Sequence, residues 1–181
     1  MILPIDRKFS QLENQRKQLL ADIEKLSHEQ QNFKVSQDSW SIFQVIAHLI
    51  TAETNTLKYM KKKILGIDQV PKAGIVASLR AQTLNTFLKL PIKYKAPKAA
   101  LPEFENVYFF ENTKKEWDNL REQFITLLNQ FDVKNSNKLI FKHPVAGRLN
   151  IHQALNFMEE HIIHHEKQIA RIKNHPDFPS T

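Results

Sequence analysis

Trp40-Ser41-Ile42-Phe43-Gln44-Val45-Ile46-Ala47-His48-Leu49-Ile50 is the stretch that decides the fold. Ser41 and Gln44 have the spacing of a capping box, in which each side chain satisfies a backbone N–H at the start of a helix. Trp40, just before the cap, is placed to staple onto Val45. Apolar residues continue through Ala52 and Leu57 to Gly66, a natural stop, so a helix is predicted over 40–66. Working outward, Phe9, Leu12, Leu19, Leu20, Ile23 and Leu26 recur at three- and four-residue steps and predict a helix over 6–30. Thr113 and Glu116 give a second capping box, followed by a stripe of Trp117, Leu120, Phe124, Leu127, Leu128 and Phe131, which predicts a helix over 112–131. Asn150 caps a last helix over 150–174, closed by His175-Pro176. Between the second and third of these, 74–90 reads as helical between Pro71 and Pro91. The following 91–111, with Pro91, Pro97 and Pro102, reads as an extended loop. Four amphipathic helices with one long crossover predict an all-α, four-helix up-and-down bundle, one domain over 1–181.

Composition narrows the chemistry. Three Gly in 181 residues exclude Gly-rich phosphate loops, which need clustered glycines. The absence of Cys removes disulfides, Cys-type zinc sites, iron–sulfur clusters and thiol nucleophiles together. Chemistry must therefore come from His, carboxylates or hydroxyls. The first residues show no signal-peptide pattern, and no stretch approaches the roughly 18 apolar residues of a membrane span, so a soluble, cytoplasmic protein without a membrane partner is expected. A net charge of +7 raises the question of nucleic acid, but acids are interleaved throughout, and no nucleic-acid partner is expected.

The eight histidines are the most informative residues. In Glu159-Glu-His161-Ile-Ile-His164-His165-Glu-Lys-Gln168-Ile169, His161 and His165 lie within about 40° of each other on a helix. That face also carries Leu155, Met158, Ile162 and Ile169, so both imidazoles point to the core, while His164 falls to the side. One reading makes one a hydrogen-bonded core histidine and the other a flank residue. The other gives both to a single divalent ion, because burying two polar rings costs free energy unless each finds a partner. This is not the zinc-protease HExxH motif, since Ile162 occupies its Glu position. A third ligand is needed. His48, within a nearly all-apolar run, is the obvious donor, although it sits towards one edge of the apolar arc of its helix. Glu53 falls inside that arc. Either it orients a ligating histidine through its ring N–H, or it lies on an exposed turn.

These residues resemble the DinB-like superfamily, which includes the YfiT-type proteins. The likeness rests on Trp40-Ser41, His48-Leu49 and Glu53 on one helix, then on Phe141-Lys-His-Pro144, Gly147-Arg-Leu149 and His161-Ile-Ile-His164-His165-Glu-Lys-Gln168-Ile169. The resemblance implies a four-helix bundle with a long crossover, and often a homodimer. It implies a divalent metal, zinc or nickel, on His48, His161 and His165, with Glu53 and His164 around the pocket. It also implies a small-molecule substrate: transfer or activation of a low-molecular-weight thiol, or metal-dependent hydrolysis. An exogenous thiol would suit a chain without Cys. The alternative is a non-catalytic metal- or partner-binding bundle, since no residue stands out as a general base. A catalytic site would be open to solvent near His48, with Tyr or Phe side chains of 91–111 at its mouth. Lys93, Lys95 and Lys98 read either as receptors for substrate carboxylates or as solvated loop charges.

Overall fold

A computed structural model describes residues 1–89 and 108–180. Its helices are α1 (Leu3–Glu24), α2 (His28–Asn32), α3 (Ile42–Ile64), α4 (Ile75–Lys89), α5 (Phe110–Leu128) and α6 (Ile151–Lys173), with a hairpin of β1 (Phe141–His143) and β2 (Gly147–Leu149) before α6. The expected crossover over 91–111, including Lys93, Lys95 and Lys98, lies outside the described residues as far as 107. No described helix is long and apolar enough to cross a membrane.

The four long helices form a closed ring in which α1 touches α6 and α5, and α3 touches the same two. Side-chain pairs fix their directions. Lys8 meets Glu159 and Gln15 meets Glu166, so α1 and α6 are parallel. Glu53 meets Trp117 and Lys61 meets Gln123, so α3 and α5 are parallel as well. Arg16 bonds Asp118, and Arg121 lies beside Glu13, which sets α1 antiparallel to α5. The order of directions is thus up, down, down, up rather than strict alternation. A parallel α3–α5 pair demands a connection that returns the length of the bundle, which is why the crossover is long; α4, within it, packs along the outside of α6.

Ser41–Gln44 and Asn150–Gln153 form complete capping boxes at the starts of α3 and α6. Three expectations are corrected. The first helix does not run unbroken over 6–30: it ends at Glu24, and Ser27 with Gln30 makes another capping box that starts α2. Thr113 is no cap. The helix begins at Phe110, and the Thr113 hydroxyl donates to the Phe109 carbonyl one turn back. Gly66 does not close α3 in a left-handed conformation; its φ is −128°, and it leads into a 3₁₀ turn over Ile67–Gln69. The hairpin of β1 and β2 is not predicted by the periodicity of the sequence. Its tight turn uses Gly147 at φ +74°, where a side chain would be strained.

Candidate metal centre

α3 and α6 run antiparallel, and this brings His48 onto His161 and His165. His161 Nε2 lies 3.3 Å from His48 Nε2 and 3.1 Å from His165 Nε2. Three nitrogens held about 2.0–2.1 Å from one ion stand about 3.3 Å apart in a tetrahedron and about 2.9 Å apart at right angles. The observed spacings fall within that window. The three residues form a cluster able to hold a metal ion, each offering one ring nitrogen, all within 4.8 Å of one another. His48 and His165 are 4% and 7% exposed, and His161 is half-buried.

The protonation states suit ligation. Burial holds the His161 imidazole well below its ordinary value, reinforced by His165 and His48; burial likewise pushes His165 down to about 3. Both rings are therefore neutral at pH 7. Gln168 Oε1 accepts from His165 Nδ1 at 2.8 Å, which assigns that proton to Nδ1 and leaves the Nε2 lone pair facing the cluster. Rings frame the site: Trp40 is 5.2 Å from His48, and Phe157 stacks 5.2 Å from His161. The closing motif names Gln168 without giving it a role, although it follows His165 by three residues and is its neighbour on any helix; Phe157 carries no such signal.

The other expected residues are placed as follows. His164 stays outside the triad, its Nδ1 on the Leu88 carbonyl at 3.0 Å, so it ties α6 to α4 at the rim. His152 is no part of the triad. Tyr108, from the end of the crossover, is buried 6.1 Å from Phe43, with its backbone paired to Asn32. The aromatic mouth expected from 91–107 falls outside the described residues.

Glu53 is corrected on both readings. It is neither exposed nor on a histidine: at 2% exposure, its two oxygens accept from Trp117 Nε1 at 2.8 Å and Arg121 Nη2 at 2.5 Å. The Arg121 guanidinium is buried among Phe9, Trp117 and Phe124, about 6 Å from each ring. Its Nε lies 3.2 Å from Glu13 Oε1, close enough for charge pairing but off the line of a hydrogen bond. Glu13 also binds Arg16, which reaches Asp118 at 2.6 Å. Burial pushes the Glu53 carboxyl up and the Arg121 guanidinium down, and their contact opposes both shifts. This network clamps α1, α3 and α5, while α3 and α6 carry the clustered histidines.

His143 also lies outside the triad. Its Nδ1 accepts from the N–H groups of Val145 and Ala146 in the hairpin turn, and burial pushes its pKa down to about 4 from 6.5. With a folded value below the unfolded one, the unfolded chain takes up the proton first as pH falls. The stability tied to neutral His143 should be intact above pH 6.5 and be lost progressively towards pH 4. Urea midpoints of the metal-free chain should drop through that window, and His143→Gln should flatten the slope. An unchanged slope in that variant would remove His143 from the account.

The sequence profile of the DinB superfamily matches residues 11–169, which include all three clustered histidines. The chain is also similar to the uncharacterized protein YuaE of Bacillus subtilis (strain 168), at 25% identity over 152 residues, 84% of this chain and 88% of that protein. With a match across most of its length, and with the helical bundle and histidine cluster described above, the chain belongs to the DinB superfamily.

Proposed function

We propose that His48, His161 and His165 hold one divalent metal ion, zinc or nickel, through their Nε2 atoms, and that the chain is a metal-dependent enzyme acting on a small molecule. The observation that carries this reading is the convergence of three Nε2 atoms at 3.1 and 3.3 Å. With its Nδ1 proton on Gln168, His165 turns its Nε2 lone pair toward the other two rings, and a single cation is well suited to ring nitrogens that converge in this way. Imidazole suits zinc and nickel, and three protein ligands leave coordination open. Such an ion, when bound, favours the anionic form of a thiol or water that joins it. The protein's own share is to keep His161 and His165 neutral by burial, to orient His165 through Gln168, and to hold the site against Trp40 and Phe157.

The reaction we favour is transfer or activation of a low-molecular-weight thiol drawn from a reducing cytoplasm, because the chain supplies no thiol of its own. Hydrolysis by an activated water is the variant on the same site. A specific observation supports a rival, non-catalytic metal-binding bundle: Glu53, the carboxylate nearest in sequence to His48, is fully engaged by Trp117 and Arg121 and offers no base. Metal content of the purified protein, followed by turnover of a thiol with an electrophile and of an activated ester, each with and without added metal, separates these readings. Metal-dependent consumption of thiol supports the transferase; ester cleavage alone supports the hydrolase. One bound equivalent with neither activity favours the binding bundle, and no bound metal defeats all three.

A further inference from the structure

Past the histidine cluster, the last turn of α3 and the strand before α6 border an open pocket of about 310 Å³. Lys62, Lys63 and Arg148 line it, with Pro71 and Leu139 in its wall. Since α3 rises about 1.5 Å per residue, Lys62 lies roughly 20 Å along the helix from His48. This is a separate place from the histidine cluster.

Two pairings around the pocket are costly for the protein alone. In the hairpin, Lys142 and Arg148 stand directly opposite each other, both exposed. Next to it, an isolated antiparallel bridge sets Lys72 opposite Lys138, joined by the bond from Leu139 N–H to the Pro71 carbonyl. Like charges directly opposite on paired strands are destabilising. Among the described residues none of these six side chains is in an ion pair, and Lys138 Nζ donates to the backbone carbonyl of Asp68. Lysines in the last turn of α3 complement the negative end of that helix, which accounts for Lys61 to Lys63. It does not account for two opposed cation pairs on segments outside the helix.

From the pocket and these pairs we infer that this end of the protein binds a compact polyanion, a small molecule bearing two or more phosphate groups. Lys62 and Arg148 line the pocket and are exposed there, Lys63 lines it with its ammonium over the Tyr59 ring, and Lys72, Lys138 and Lys142 supply the surrounding field. The pocket suits a small ligand, and the cations come from three separate segments rather than one long stripe that would track a nucleic-acid backbone.

The test is calorimetric titration of the full, metal-free chain with inorganic pyrophosphate at low salt. One saturable equivalent is expected. Arg148→Glu and Lys62→Glu should each weaken it by at least about tenfold, the scale of one charged hydrogen bond. His161→Ala should leave it unchanged, so loss of the metal site and loss of this one are told apart. Arg148→Glu should also raise the midpoint of thermal unfolding, because it turns an opposed cation pair with Lys142 into an attractive one. Weaker binding by a more stable protein is a result that misfolding cannot produce. Absence of saturable binding, or binding indifferent to both reversals, would overturn the inference. So would a single-stranded oligonucleotide that binds far more tightly than pyrophosphate, with a steep salt dependence, which would assign the face to nucleic acid.

Discussion

Replacing His161 with Ala should abolish stoichiometric metal binding while leaving the bundle folded. His161 is the centre of the cluster, since its Nε2 is the atom within 3.1–3.3 Å of both other Nε2 atoms. Removing it leaves two ligands on different helices, His48 on α3 and His165 on α6. Loss of an outer partner of a ligand already costs about 10–100-fold in affinity, so loss of the central ligand should exceed roughly a hundredfold. Gln168→Ala provides the graded case: His165 keeps its place on α6 but loses the acceptor that fixes its Nδ1 proton, and affinity should fall within that 10–100-fold range. His175→Ala should change nothing, because that ring sits beyond the end of α6 against Phe33. The fold should tolerate His161→Ala, since the ring is half-buried and its neutral state already reflects a cost of burial. Equilibrium dialysis with zinc and with nickel, beside circular dichroism of the same samples, reads both outcomes. A His161→Ala protein that still binds one tight equivalent would show that the three rings are a hydrogen-bonded core feature and not a metal site.

The helices and the histidine cluster were legible for a common reason: their signals are local. Capping boxes at Ser41 and Asn150 concern four consecutive residues, and His161 with His165 are placed together by helix pitch alone. His48 was harder, because its approach depends on α3 being antiparallel to α6, which no local pattern states. Local signals also misled. Thr113 and Glu116 have cap spacing, but the hydroxyl of Thr113 finds the Phe109 carbonyl inside a helix that has already begun. Ser27 and Gln30 carry a working box that a run of apolar positions hid. The partners of Glu53 lie 64 and 68 residues away on another helix, beyond any local window. One signal was available: Arg121 falls at the fourth position after Trp117 and the third before Phe124, squarely on the apolar stripe of α5. A buried cation there demanded a buried anion, and Glu53 was the acid already noted inside an apolar arc.

That pairing sets the second large expectation: Glu53→Ala should destabilise the protein by about 3–5 kcal/mol, because it leaves the Arg121 guanidinium buried without its closest counterion. For a domain whose total stability is about 5–15 kcal/mol, this is a large fraction, visible as a fall in the urea midpoint at constant slope. Glu13 cannot take over fully, since it already binds Arg16 through both oxygens and meets Arg121 Nε off the hydrogen-bond line. Glu53→Gln should cost less, as its carbonyl still accepts from Trp117 Nε1. Glu53→Leu combined with Arg121→Met should recover most of the loss, because replacing both partners of a buried pair with apolar groups removes the desolvation cost of each. The Trp117 N–H would then be the remaining debit, about 1–3 kcal/mol for a buried donor without an acceptor. A Glu53→Ala protein within about 1 kcal/mol of the parent would mean that water or Glu13 compensates the guanidinium, and the clamp across α1, α3 and α5 would not be a major source of stability. Metal affinity of whatever fraction stays folded should hardly change, since neither Glu53 oxygen touches a histidine. His161→Ala should do the reverse, leaving stability and removing the metal. The two variants thus divide α3 into an end that builds the site and a middle that holds the bundle around it.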